Sequence, residues 1–101
     1  MLPLIAVIAL AAGGLTAIIL TILSWNRIVD WFKGRKELKE SDKDNTAIIL
    51  NQLLANGNFS TIEGIFNTRT NEFLDGVKYE SKEIDEKLTE ALQGKELLIV
   101  N

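Results

Sequence analysis

The sequence holds few residues that could carry out catalysis. It contains no histidine and no cysteine, which removes the usual general base near neutral pH, thiol nucleophiles, disulfides and the commonest zinc ligands. Asp42 and Asp44 begin like a calcium-binding loop, in which carboxylates alternate along the chain. Ala47 and Leu53 stand where such a loop needs glycine and glutamate, so the motif is incomplete.

Phosphate-binding and nucleophile motifs are missing as well. Gly57 and Gly64 belong to no Gly-Lys-Ser/Thr loop and to no dinucleotide fingerprint. The four serines have no histidine partner, and only Ser81 is followed directly by a lysine. The polar segment 67–71 could hold a ligand at a hairpin tip, but ordinary turn polarity explains it more simply. We therefore predict that the chain is not an enzyme and needs no cofactor or metal.

The charge of the C-terminal part argues against nucleic-acid binding. Residues 42–101 carry eleven acidic side chains against six basic ones. A nucleic-acid reader needs a positive surface that replaces counterions along the phosphate backbone. No such surface is indicated, so we predict no DNA or RNA partner.

The first structural element that the sequence predicts is a long apolar segment at the N-terminus. Between Leu2 and Leu23, 17 of 22 residues are apolar and none is charged. As a helix, this segment would be about 33 Å long, enough to cross a hydrocarbon core of about 30 Å. The alternatives are a cleaved signal peptide and a buried core helix. A signal peptide needs a basic start and a small-residue cleavage site, and so small a protein has little with which to cover a core helix of this length. We predict a retained transmembrane helix over residues 1–24.

The residues after this segment predict its orientation. Basic side chains are concentrated there, which places the following part in the cytoplasm and the N-terminus outside. Two tryptophans at the same junction are typical of anchors in the headgroup layer. The predicted membrane-interface residues are Trp25, Arg27, Trp31, Lys33, Arg35 and Lys36.

Small residues recur every four positions within the apolar segment. The predicted helix-packing residues are Ala9, Gly13, Ala17 and Thr21. On one helix they would form a shallow groove that lets a second helix approach closely. Small residues are also common in membrane helices by chance, and the Gly13-Gly14 pair could equally weaken the helix.

Residues 25–41 predict an amphipathic juxtamembrane helix. Trp25, Ile28, Val29 and Phe32 follow the i, i+3, i+4, i+7 spacing of one apolar stripe, which could lie in the lipid interface. Gly34 is a weak helix former and marks a possible bend.

Residues 42–101 predict a small acidic α+β cytosolic domain with the order α-β-β-α-β. Alternation and turn signals support its strands, and capping residues support its helices. A bulged strand or two very short strands around Asp75-Gly76 are both compatible with the pattern. The predicted elements are a helix at 43–55, a strand at 59–67, a hairpin turning at 68–71, a strand over 73–80, a helix capped by Ser81, and a strand at 97–100 in the same sheet.

These features predict a protein that acts by association. We expect a single-pass, membrane-anchored accessory, scaffold or regulatory subunit that works by helix packing and by oligomerisation or partner docking. Its partners would be the lipid bilayer and either further copies or a membrane protein complex. A holin-like or toxin-like pore former is one alternative, although Thr16 and Thr21 alone would line its pore. A membrane-tethered module that senses a small ligand is the other.

Overall fold

The apolar N-terminal segment forms two elements instead of one helix. A computed structural model of the chain describes residues 2–100. Helix α1 covers Leu4–Ala11, a single 3-10 turn covers Ala12–Gly14, and strand β1 covers Thr16–Leu23. The glycine pair lowers helix stability at the division, and five of the eight residues in β1 are β-branched, which favours a strand.

The division of the apolar segment into a helix and a strand contradicts the predicted membrane topology. Among the helices described within residues 2–100, none combines the length and the apolar character that a membrane span requires. The predicted transmembrane helix over 1–24 is therefore wrong. The prediction of a single-pass membrane protein, with its N-terminus outside and its C-terminal part in the cytoplasm, is wrong for the same reason.

The rest of the chain alternates between strands and short helices. The remaining elements are α2 (Trp25–Lys33), α3 (Lys36–Glu40), β2 (Asn45–Leu53), β3 (Phe59–Asn67), β4 (Glu72–Ile84), α4 (Glu86–Leu92) and β5 (Leu97–Val100). The strands form one mixed sheet in the order β1-β4-β3-β2-β5. Strand β1 is parallel to β4, and all other neighbours are antiparallel. The sheet thus takes β1 from the predicted membrane segment and its other strands from residues 42–101.

The predicted class, α+β, is correct, but the predicted element order is wrong. The predicted helix at 43–55 is strand β2, which lies between β3 and β5 and is covered on both faces of the sheet. Ile48, Ile49 and Leu50 are buried, each at most 2% exposed. A strand that is buried on both faces has a continuous apolar run of this kind. The spacing of such a run fits a buried helix equally well, which is why the prediction was wrong.

Several local predictions for the C-terminal part are confirmed. Strand β3 has the predicted bounds, the hairpin turns at residues 68–71, and β5 joins the same sheet. Asn71 takes the left-handed conformation in this turn, with φ of 59°. Strand β4 is a single bulged strand, because the register shifts opposite Ile65 and Phe66. Helix α4 begins after Asp85, whereas Ser81 is buried within β4.

Helices cover the two faces of the sheet unequally. Helices α2 and α4 lie on one face, which we call the α2 face, over a core of Leu23, Ile28, Ile49, Val77, Tyr79, Leu88 and Leu92. Helix α1 lies on the opposite face, the α1 face, with a core of Ile8, Ala12, Ile48, Leu50, Ile62 and Phe66. None of the side chains in this second core comes from β1. Helix α1 therefore does not cover the α1 face at the β1 edge of the sheet.

Candidate functional site

Strand β1 forms an open edge of the sheet. Within residues 2–100 it pairs with β4 only, so alternate backbone N–H and C=O groups face outward along its other side. Natural edge strands are commonly protected against further pairing by lysine, proline or a bulge. Strand β1 has no charged residue, no proline and no register shift against β4.

The side chains of β1 also leave one face bare. Ile18 and Leu20 pack against the core of the α2 face. Because side chains alternate along a strand, Ala17, Ile19 and Thr21 point to the α1 face, and all three are exposed. Ile19 is 82% exposed, the highest exposure among the large hydrophobic residues described.

The same pentapeptide, Thr-Ala-Ile-Ile-Leu, occurs in β1 and in β2, at residues 16–20 and 46–50. In β2, which has a strand on each side, its four apolar residues are buried. In β1 the equivalent of Ile49 is Ile19, which is almost fully exposed. One sequence therefore occupies both an interior and an edge position of the same sheet, and the edge copy lacks a neighbouring strand.

Further apolar exposure comes from the same part of the chain. Among residues 2–100, five of the eight large hydrophobic residues that are exposed precede Ser24. These five are Leu2, Leu4, Leu10, Ile19 and Ile22. A helix as uniformly apolar as α1 is normally covered on all sides, yet Leu10 is 70% exposed.

The structure separates the predicted helix-packing residues among three elements. Ala9 lies on α1, Gly13 lies in the 3-10 turn, and Ala17 and Thr21 lie on β1. Apart from the neighbouring backbone of its own turn, a methyl group on Gly13 would meet no atom within 4 Å. No groove along a single helix exists for them, but Ala17 and Thr21 share the exposed face of β1 with Ile19.

The predicted membrane-interface residues divide between the core and the surface. Trp25 and Trp31, on the predicted amphipathic helix, pack against the core of the α2 face. The Arg35 guanidinium lies 3.8 Å from the centre of the Trp31 ring, and its Nε donates to Asp75 Oδ2 at 2.7 Å. The other three members of the set, Arg27, Lys33 and Lys36, are exposed.

The hairpin tip at 67–71 is occupied by its own contacts. Arg69 donates to Asp42 Oδ2 at 2.7 Å and to Asp44 Oδ2 at 3.1 Å. The Asp44 backbone N–H and the Arg69 guanidinium lower the pKa of the Asp42 carboxyl. Asn67 Oδ1 accepts hydrogen bonds from the backbone N–H groups of Arg69 and Thr70. These polar groups hold the turn to the preceding loop.

Sequence reasoning missed a buried acid, Glu63, at the centre of the sheet. Its side chain is fully buried on the α2 face, where Tyr79 Oη donates to Oε1 at 3.0 Å. Burial raises the pKa of Glu63 to about 8, and burial together with Glu63 raises the pKa of Tyr79. The alternation in β3 places Glu63 on the same side as Ile65, which was the available signal. Its carboxyl is sealed from solvent, and Glu63 does not line the pocket between the sheet and helices α2 and α3.

Comparisons with known proteins found no matching family model and no similar curated protein or solved structure. Within the described part of the chain, no three histidine, cysteine, aspartate or glutamate side chains are grouped so that they could hold a metal ion.

Proposed function

We propose that the protein acts by association and that it forms a homodimer through the open edge of β1. The observation that carries this proposal is the pentapeptide at residues 16–20, which lies at the open edge with Ile19 exposed, while its copy in β2 lies between two strands. A second strand against β1 would pair its outward backbone groups. It would also place the edge copy between two strands, as the interior copy is.

A second copy of the chain suits this edge because the edge complements itself. Residues 2–23 carry no charge, so two β1 strands meet without repulsion between like side-chain charges. An antiparallel β1–β1 pair has two-fold symmetry, which closes the assembly at two subunits. The dimer would join two five-stranded sheets into one and would bring the bare faces around Ile19 together.

Molar mass in solution tests the proposal. Light scattering or sedimentation of the full chain is expected to show a discrete dimer that dissociates on dilution. Ile19→Lys places a charge on the edge strand, which is how natural edge strands are protected against pairing, and like charges on two paired strands repel each other. We expect this variant to be monomeric and to keep the circular dichroism spectrum of the folded chain.

Leu53→Lys is the matched control. Leu53 lies at the end of β2 and is 68% exposed, so the same substitution there should leave the dimer intact. A wild-type chain that is monomeric at every accessible concentration would contradict the proposal. So would open-ended assembly, which indicates unlike edges meeting, or a dimer that survives Ile19→Lys.

A further inference from the structure

A second feature, independent of β1, lies on the opposite side of the molecule's sheet. A pocket of about 360 Å³ opens on the α2 face between the sheet and helices α2 and α3. Ala47, Ile65 and Val100 line it from three adjacent strands of the sheet. Trp25, Val29 and Phe32 contribute side chains from α2. The volume is within the range of small-molecule sites, which are mostly apolar with a few polar groups that orient the ligand.

Basic residues surround this apolar interior. Lys33, Arg35, Lys36 and Lys39 all line the pocket, and Glu40 is the one acidic residue among those that line it. Arg35 is committed to Asp75, to the Trp31 carbonyl and to the Trp31 ring. Within residues 2–100, the three lysines make no ion pair.

The positive charge is local to this pocket. The chain as a whole has a net charge of −3, whereas the residues lining the pocket include four cations and one anion. Lys36 and Lys39 are three positions apart on α3, a spacing that keeps their side chains on neighbouring parts of the helical surface, and Lys33 is the last residue of α2. Charge complementarity therefore favours an anionic group at the pocket and an apolar group inside it.

We infer that this pocket binds a single-chain amphipathic carboxylate, with its alkyl tail against Val29, Phe32 and Ile65 and its carboxylate among Lys33, Lys36 and Lys39. Burial of the tail provides affinity in proportion to the apolar area removed from water. The lysines provide orientation and selectivity for an anion over a neutral ligand with the same tail.

Octanoate is the probe for this inference, and 1-octanol is its neutral counterpart. Titration calorimetry on the full chain at about 0.1 M ionic strength, where distant charges are screened, is expected to show saturable binding of octanoate and weaker binding of octanol. The Trp25 indole resonance should shift with octanoate, because Trp25 lines the pocket. Val29→Trp, which fills part of the pocket, should weaken octanoate binding while the chain remains folded.

A double charge reversal, Lys33→Glu with Lys36→Glu, separates the head-group contact from the tail contact. Both lysines are exposed, so the fold is expected to persist, and octanoate affinity should fall by roughly tenfold or more. Octanol affinity should change little. Lys82→Glu with Lys87→Glu changes the net charge equally at exposed sites elsewhere and should leave octanoate affinity within about twofold.

Three results would overturn the inference: no saturable binding of octanoate, equal loss of octanoate affinity in both double variants, or binding that Val29→Trp does not weaken. Each is independent of the dimer, because the pocket is lined by α2, α3 and strands other than β1.

Discussion

At the scale of single residues, the burial of Glu63 affects stability because it favours the protonated form of the carboxyl. The Glu63 side chain is fully buried in the central strand, and its Oε2 has no hydrogen-bond partner among the described residues. A carboxylate in that position would be a poorly compensated buried charge. The protonated form is therefore favoured, and the pKa rises from 4.5 to about 8.

This pKa shift predicts that Glu63 makes the chain less stable at alkaline pH. Between about pH 4.5 and 8 the folded state holds a proton that the unfolded state has lost, so the free energy of unfolding falls as the pH rises. The contribution is complete below 4.5 and is lost above about 8. Urea unfolding of wild type and Glu63→Gln should therefore show the variant gaining relative stability between pH 5 and pH 9, on the order of 5 kcal/mol at most.

Glu83→Gln is the control for this measurement. Glu83 is exposed on β4, so its removal should not change the pH dependence of unfolding. Parallel stability curves for wild type and Glu63→Gln over this pH range would show that the Glu63 carboxyl is not protonated in the fold.

At the scale of elements, Asp85 holds together the starts of two helices. Its Oδ1 accepts from the Leu88 backbone N–H at 2.9 Å and so caps α4. Both carboxylate oxygens also lie 3.1 to 3.2 Å from the backbone N of Trp25, at the start of α2. Trp25 and Asp85 are sixty positions apart in the sequence, so their contact ties β1 and α2 to the C-terminal half.

Asp85→Ala is therefore expected to cost about 2 kcal/mol in the free energy of unfolding, at the upper end for loss of a helix cap. Chemical denaturation would measure the loss. Asp30→Ala, an exposed change within α2, should stay within about 0.5 kcal/mol of wild type. An equally small effect at Asp85 would mean that the two helix starts are not joined.

The pleat of β1 gives a second prediction at this scale. Ile18 packs against the core of the α2 face, whereas its neighbour Ile19 is 82% exposed. Measured under conditions in which the chain is monomeric, Ile18→Ala should cost about 1–2 kcal/mol and Ile19→Ala less than about 0.5 kcal/mol. Equal losses at both positions would contradict the alternation of a strand.

The same elements show what the sequence could and could not predict. Strand β3, the hairpin at 68–71 and the end of helix α4 were predictable because alternation, turn residues and a terminal glycine act locally. The start of α4 was not, because Ser81 and Ile84 belong to β4. Strands β1 and β2 were not, because continuous apolar runs fit helices and buried strands equally well. The parallel pairing of β1 with β4 joins positions about 60 residues apart, and nothing local encodes it. The exposure of Ile19 depends on that pairing, so the open edge of β1 could not be predicted from the sequence either.

At the scale of the whole molecule, exposed apolar residues are concentrated in the N-terminal segment. Two helices cover the α2 face, whereas the α1 face is bare around Ile19. A chain of this size buries a modest fraction of its surface when it folds alone. A dimer through β1 would pair the open edge and remove part of the apolar surface beside it from water.

Amide hydrogen exchange along β1, followed at several protein concentrations, tests the central claim most directly. In the monomer, every second amide of Thr16–Leu23 is expected to be protected by β4, with the alternate amides exchanging fast. As the concentration rises, the alternate amides should become protected too, and Ile19→Lys should abolish that gain. Fast exchange of the alternate amides at every concentration would contradict the dimer. Continuous protection from residue 4 to residue 23 would contradict the strand itself, because it indicates a helix.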